Sequence, residues 1–505
     1  MLLRALVSEL ISKNLIKNKA EVPNLKIDDV TESLSKCRPG IAFFALKGFR
    51  YDGHSFVTEA YSAGTRIFFT ERELSMPGDG IQVVCTDTRR AYASACALLF
   101  GHPDREMRLL GVTGTKGKTT VCTLACTMLG ALGHRCARIG TDGIFCGDFH
   151  SDTENTTPDS YTLFSSLRKF RDLGVETVFL EVSSQALYLG RVFGAEFYCA
   201  VFTNLSKDHI GVSEHPDFAH YASSKRMLFQ TEHLHFAVVN SDDPACDFML
   251  EGCSAEVIRC GADSGDFRAY DIKSSLCDGA PECSFSLSYR GRNCRVSSNL
   301  PGIFNVRNIL LASACVYILA GALPDSCPDA LRRASVPGRC EFIPLNNGAS
   351  AVIDYAHNGD SLSRMLSMLR GFFPKRLTCV FGSVGMRSYD RRSDLASAAE
   401  KYADRCIITS DNPGDEPAED ICEEIRSYFE NPDIVTVIPD RCEAVRYAIR
   451  TSFSGEIILF AGKGREEYQL VRGIKLRFSE RDIIRRCNEK YLGKSGECID
   501  FEAVL

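Results

Sequence analysis

Gly114-Thr115-Lys116-Gly117-Lys118-Thr119-Thr120 follows an apolar run at 109–112 and precedes a helical-looking segment at 121–132. A strand that turns through glycines into a helix presents backbone N–H groups and the positive end of the helix to an anion. Lys118 adds a point charge for terminal phosphates, and Thr119 offers a hydroxyl to Mg²⁺. The stretch therefore predicts a nucleotide triphosphate loop. One departure stands out: the general phosphate-loop spacing wants glycine at Val112, whereas the glycine here is Gly111. The short form Gly-Thr-x-Gly-Lys-Thr points away from most kinases and GTPases.

Outward from that loop, the chain of 505 residues is too long for one core, and three domains are expected. A net charge of −6 gives no electrostatic reason to expect a nucleic-acid partner. The first 19 residues intersperse charges with short apolar runs, which reads as a helix and not a signal peptide. No uninterrupted apolar stretch reaches membrane-spanning length, so a cytoplasmic protein is expected. Its 23 cysteines are scattered, none spaced Cys-x-x-Cys. That excludes a zinc ribbon or thioredoxin-type motif, and most are expected to be buried, reduced thiols.

The strand–helix rhythm predicts an α/β fold in three blocks, 1–106, 107–336 and 337–505. The first has a buried-strand pattern at 38–46, a polar loop at 47–54, a helix at 56–63 and a strand at 66–70. In the second, strands at 177–182, 199–203 and 236–240 each end in polar residues, where open α/β sheets place ligands. Residues 267–298 read as a small antiparallel appendage. The third block has strands at 351–354, 377–382, 406–409, 434–438 and 456–460, a doubly wound pattern. Glu181, at a strand end beside the loop, is a candidate oxygen ligand for Mg²⁺ with Thr119. His209 is a further candidate.

Beyond Gly114–Thr120, the motifs are Glu181-Val-Ser-Ser184, Thr203-Asn-Leu-x-x-Asp-His209, Tyr221-Ala-Ser-Ser-Lys225 and Pro301-Gly-x-Phe-Asn305-Val-x-Asn308. Val336-Pro-Gly-Arg339-x-Glu341, Asp354-Tyr-Ala-His357 and Gly462-Lys-Gly-x-Glu466-x-Tyr-Gln469 complete the order. This series resembles the Mur ligases of peptidoglycan synthesis, and within them the ligase that adds the third residue of the stem peptide. The resemblance covers nearly the whole chain. It implies a central phosphate-loop domain between an N-terminal uridine-binding domain and a C-terminal Rossmann-like domain that binds the amino acid.

The implied reaction joins a free diamino acid to UDP-N-acetylmuramoyl-L-alanyl-D-glutamate at the expense of ATP, through an acyl phosphate. The resemblance assigns ATP to Gly114, Thr115, Lys116, Gly117, Lys118, Thr119, Thr120, Asn305, Arg339 and Asp354. It assigns Mg²⁺ to Thr119, Glu181, His209 and Lys225, the last as N6-carboxylysine, and chemistry to Lys118, His209, Lys225 and Arg339. Thr156, Thr157, Ser183 and Arg191 would grip the muramoyl dipeptide, although Asn155-Thr-Thr-Pro158 also reads as a capped turn. Asp411, Asn412, Gly462 and Glu466 would take the amino acid. The uridine would lie around residues 49–54. Pro337-Gly338 is the expected hinge for delivery of the amine, and a monomer is expected.

Two departures matter. Ser33-Leu34-Ser35 stands where the family has Asp-Ser-Arg. Asp411-Asn412-Pro413-Gly414 stands where diaminopimelate-adding ligases have Asp-Asn-Pro-Arg, whose Arg pairs with the distal carboxylate. An unpaired buried carboxylate costs several kcal/mol, and Asp415 and Glu416 suit an ammonium. The expectation is therefore L-lysine or L-ornithine, the alternative being meso-diaminopimelate with Arg387 or Arg465 supplying the cation. A folylpolyglutamate or cyanophycin-type ligase shares the loop but lacks the first block. A non-catalytic nucleotide-binding subunit would have to have lost Lys118, Glu181, His209 or Lys225, and all four residues are present.

Overall fold

The computed structural model describes residues 1–17, 22–48, 51–208, 210–211, 214–386 and 390–491. They divide into two compact units, residues 1–268 with 307–323, and residues 269–306 with those from 324 to 491.

The first unit opens with a four-stranded parallel sheet in chain order: β1 (Asp29–Thr31), β2 (Ile41–Phe44), β3 (Ile67–Thr70) and β4 (Ile81–Val84). Alternation along these strands divides the apolar residues between two faces. Phe44 and Phe69 join the main core of the unit with Leu163 and Phe164, whereas Phe43, Ala45 and Phe68 pack on the other face. Phe44 and Phe69 stack at 4.3 Å between ring centroids.

The larger sheet of this unit is built on β5 (Arg108–Thr113), which carries the phosphate loop at its carboxyl end. β9 (Thr177–Glu181) flanks it on one side and β10 (Cys199–Phe202) on the other, both parallel. Beyond β9 lie β6 (Cys136–Gly140), β7 (Gly143–Cys146) and β8 (Phe149–Ser151); beyond β10 lie β11 (Phe236–Asn240) and β12 (Glu256–Gly261). The sequence-expected strands at 66–70, 177–182, 199–203 and 236–240 form within a residue of their expected ends. The antiparallel β6–β7–β8 run went unread, because its Gly-Thr-Asp-Gly turn is flanked by short, mixed segments.

Gly111 lies inside β5, where a Cβ would come within 2.8 Å of the Phe197 ring. Its glycine serves strand packing, so the displaced phosphate-loop glycine belongs to the core and not to the loop.

In the second unit, β13 (Phe267–Cys277, from Ala269 onward), β14 (Ala280–Tyr289) and β15 (Arg292–Ser298) form the antiparallel appendage read from the sequence. A six-stranded sheet follows, in the order β16 (Glu341–Pro344), β17 (Ser350–Asp354), β21 (Glu456–Ala461), β18 (Arg376–Phe381), β19 (Arg405–Ile408) and β20 (Val435–Val437). All neighbours are parallel except the β16 edge. Ile457, Leu459 and Ala461 of β21 face one core and Ile458 and Phe460 another, which is why the strand reads as an unbroken apolar run. A hairpin of β22 (Tyr468–Val471) and β23 (Ile474–Arg477) completes the unit.

Helix Ile303–Ala320 is the one helix among the described residues long and apolar enough to cross a membrane, and 61% of that stretch is buried within the protein. Val306, Ile309, Leu310, Leu311 and Val316 are fully buried, whereas Ile303 is exposed.

Candidate functional site

The phosphate loop is held open by its glycines. Gly114 has φ +144°, and a Cβ there would meet Thr203 Oγ1 at 1.9 Å; Gly117 has φ +88°, with Asn308 Oδ1 at 2.5 Å. Only glycine fits both positions. Helix Lys118–Ala131 begins directly after Gly117, so its first N–H groups face the loop.

Three lysines gather there. Lys118 Nζ donates to the Gly114 and Thr115 carbonyls at 2.9 and 3.1 Å, and Lys225 Nζ donates to the same Gly114 carbonyl at 2.9 Å. Lys116 Nζ pairs with Asp208 at 3.1 Å. Lys225 is only 2% exposed. Burial, and then the neighbouring charge of Lys118, push its pKa well below the ordinary lysine value. Both effects weaken the hold of the amine on its proton, against the opposing pull of Asp208. Among the described residues, no group of three His, Cys, Asp or Glu is placed to hold a metal. His209 lies outside the described residues.

Asn204, quoted in a motif but given no role from the sequence, clamps the loop from the end of β10. Its Oδ1 accepts the Lys116 N–H at 3.0 Å and its Nδ2 donates to the Lys116 carbonyl at 2.9 Å. Thr115 Oγ1 meets the Tyr221 hydroxyl at 3.1 Å, linking the loop to the helix Phe218–Arg226 that carries Lys225. Thr119 and Thr120 are buried at the start of the loop helix.

On the other side of β5, Glu181 ends β9 opposite Val112. Its carboxylate is buried and accepts from the Thr141 N–H and hydroxyl, each at 3.1 Å. The Thr156 hydroxyl lies 3.0 Å from Thr141 Oγ1 and can donate to it. Thr157 donates to the Glu181 carbonyl at 2.8 Å and accepts from the Ser183 N–H at 2.9 Å. Arg191 reaches the Thr157 carbonyl at 3.0 Å, and burial lowers its pKa. The Asn155–Pro158 turn, Ser183 and Arg191 thus form one hydrogen-bonded group. Ser183 also caps the short helix Ser184–Tyr188. Ser184 bonds His215 Nε2 at 2.9 Å, and His215 Nδ1 meets His220 Nδ1 at 2.8 Å. No sequence motif marked this histidine pair.

Thr119 and Glu181 supply hard oxygen donors, which suit Mg²⁺. Lys225 as an ammonium cannot be a ligand, but as a carbamate it would be an anionic oxygen donor.

In the second unit, strands β17, β21 and β19 lead into one polar cluster. Asp354 accepts the Cys340 N–H at 2.7 Å. Gly462 has φ +108°, and a Cβ would lie 2.9 Å from Asp411 Oδ2. Lys463, fully buried and not singled out from the sequence, stands at the centre. It donates to Asn412 Oδ1 and Glu466 Oε2, both at 2.8 Å, with Asp411 at 3.4 Å. Its sequence signal is its place inside the Gly-Lys-Gly-x-Glu motif. Arg339 lies over the Tyr355 ring at 4.5 Å, and Asn305 Nδ2 donates to the Pro301 carbonyl at 2.8 Å.

Gly414 has φ +62° with open space where a Cβ would stand. It accepts from the Arg472 N–H at 2.7 Å. The carboxylate of Glu416, expected to favour a distal ammonium, is instead committed to the buried Arg392 guanidinium at 2.7 Å and the Met386 N–H at 3.1 Å. That removes one support of the lysine or ornithine expectation. Arg387 lies outside the described residues.

Residues 112–316 match the Mur ligase middle domain, and residues 338–464 the Mur ligase, glutamate ligase domain. The chain is 33% identical over 491 residues to the UDP-N-acetylmuramoyl-L-alanyl-D-glutamate–2,6-diaminopimelate ligase of Clostridium perfringens, covering 96% of this chain and 98% of that one. It is 36% identical over 463 residues to the ligase of the same name from Geobacillus kaustophilus, covering 88% and 91%. A solved structure of a ligase of that name superposes with a TM-score of 0.68 at 28% identity, over 94% of this chain and 97% of the other. These relatives favour the diaminopimelate alternative over lysine or ornithine.

Proposed function

This chain belongs to the Mur ligase family, in its MurE branch, and we propose that it is the ATP-dependent ligase joining meso-diaminopimelate to UDP-N-acetylmuramoyl-L-alanyl-D-glutamate. The observation that carries the reading is the end-to-end likeness to diaminopimelate ligases, with no block of the chain left over. The lysine cluster around Gly114 supports the chemistry. Two anions must meet, the substrate carboxylate and the γ-phosphate of ATP, so the barrier falls if cations and N–H groups already face the point of contact.

Residues 1–106 take the uridine end, residues 107–336 ATP, and residues 337–505 the amino acid. Lys118 and the loop amides bind the phosphates, and Asn305, Arg339 and Asp354 are the ATP residues that the motif order implies in the second unit. Thr156, Thr157, Ser183 and Arg191 hold the muramoyl dipeptide. Thr119, Glu181, His209 and carbamylated Lys225 hold Mg²⁺, which when bound neutralises charge on the phosphate oxygens. The depressed basicity of Lys225 supports the carbamate, because only a neutral amine adds to carbon dioxide. At the uridine end, His54 Nε2 accepts the Glu71 N–H at 2.8 Å, so its proton sits on Nδ1 toward Asp52, 2.6 Å away.

Asp411, Asn412, Gly462 and Glu466, braced by Lys463, take the amino and carboxylate end of the diamino acid. With glycine at 414, the cation for its second carboxylate comes from Arg465 or Arg472. The test is ADP release with the nucleotide substrate and diaminopimelate, L-lysine or L-ornithine offered separately. Diaminopimelate alone is expected to sustain turnover. Turnover with lysine or ornithine in its place overturns the amino-acid assignment, and silence with all three overturns the ligase reading.

A further inference from the structure

The ligase reading uses none of the cysteines, and most described thiols are buried. Cys126 and Cys136 are different. Cys126 lies in the second half of helix Lys118–Ala131, Cys136 opens β6, and both are partly exposed. Their Sγ atoms stand 2.8 Å apart, and Cys136 Sγ also reaches the Cys126 carbonyl at 3.1 Å. A disulfide needs about 2.05 Å, so a closure of ~0.8 Å would bond the pair.

We propose that Cys126 and Cys136 are a redox-active dithiol that closes to a disulfide by exchange with a low-molecular-weight disulfide, tying the phosphate-loop helix to β6. The two sulfurs are not equivalent. The hydrogen bond from Cys126, assisted by the Gly130 backbone, lowers the Cys136 pKa despite burial, and the same hydrogen bond, with burial, raises that of Cys126. That difference favours Cys136 as the attacking sulfur once it loses its proton, since the thiolate is the nucleophile.

Cys136 attacks one sulfur of the oxidant, forming a mixed disulfide and expelling one thiolate. Cys126 then gives up its proton and attacks the Cys136 sulfur, expelling the second. Two electrons pass to the oxidant, which leaves as two thiols. Nearby cysteines are poorer candidates. Cys122, four residues before Cys126, is fully buried, and Cys199 and Cys315, which bond each other, are both buried.

The bond would lie away from the phosphates, in the same two elements that end at the site. The helix starts at Lys118, and β6 ends at Gly140, beside the Thr141 that holds Glu181. Oxidation would therefore brace the scaffold of the loop without touching a phosphate ligand.

The test equilibrates the full chain with oxidised glutathione, blocks free thiols with N-ethylmaleimide and maps tryptic peptides by mass. Residues 119–135 are expected joined to residues 136–138, two hydrogens lighter than their sum and separated by dithiothreitol. In Cys126→Ser the link is lost and Cys136 carries glutathione. Maleimide on both cysteines of the oxidised wild type, or a link persisting in Cys126→Ser through Cys122, overturns the proposal. A second measurement needs no variant. Limiting iodoacetamide at neutral pH should modify Cys136 ahead of Cys126, as expected for the lower-pKa thiol. Equal or reversed rates overturn the assigned order. Neither readout uses ligase turnover, so the result stands apart from the proposed reaction.

Discussion

Two buried lysines, one in each unit, meet opposite surroundings. Lys463 is enclosed by Asp411, Asn412 and Glu466, so its charge is answered within the fold. Lys225 is nearly as buried but faces Lys118 and Lys116 across a shared loop, with Asp208 as the opposing charge. An ammonium ringed by acceptors positions its neighbours. An ammonium crowded by like charges is poised to lose its proton or to be chemically changed, and such perturbed groups mark sites of chemistry.

Replacing each lysine in turn breaks the comparison most sharply. Lys225→Ala should lower ligation by about 10²–10³-fold, the scale of losing a preorganised stabilising group, while the protein stays folded. Short carboxylic acids should restore part of the rate, and near-normal unrescued turnover would sink the carbamate assignment. Lys463→Met should instead act on stability. Removing one member of a buried charge cluster costs about 3–5 kcal/mol, which denaturant unfolding would register as a lower midpoint for the second unit.

Stability against pH sharpens the contrast. Lys225 has a lower pKa folded than unfolded, so the unfolded chain binds more protons between the two values. In carbon dioxide-free buffer, stability should rise with pH through that window, up to the ordinary lysine value of 10.5. Lys225→Met should flatten this rise, and an unchanged slope would deny the shift. The smallest effect is expected at Gly414. Gly414→Arg has room for its side chain but adopts φ +62°, a strain of about 1–2 kcal/mol. It should change the KM for diaminopimelate by only a few-fold if Arg465 or Arg472 already supplies the cation. A large gain in affinity would show the second carboxylate unserved in the wild type.

Much of this was legible in the chain. Glycines beside an apolar run announced the phosphate loop, and unbroken apolar runs announced strands buried on both faces, because backbone geometry and burial leave few other ways to use them. Glu181 at a strand end and the order of motifs were legible for the same reason. The β6–β7–β8 run was not, since short mixed strands carry little periodic signal. Nor was the commitment of Glu416 to Arg392, which depends on a partner 24 residues away.

By itself, then, the sequence determined the α/β rhythm, the loop and its glycines, and the ligase family, all of which rest on local spacing. Only the tertiary structure decided that Gly111 serves the Phe197 contact, that Asn204 clamps the loop, that Lys463 centres the second cluster and that Cys126 meets Cys136. Those are meetings between distant segments, and a side chain's charge, partner and reactivity are set by what folding brings beside it.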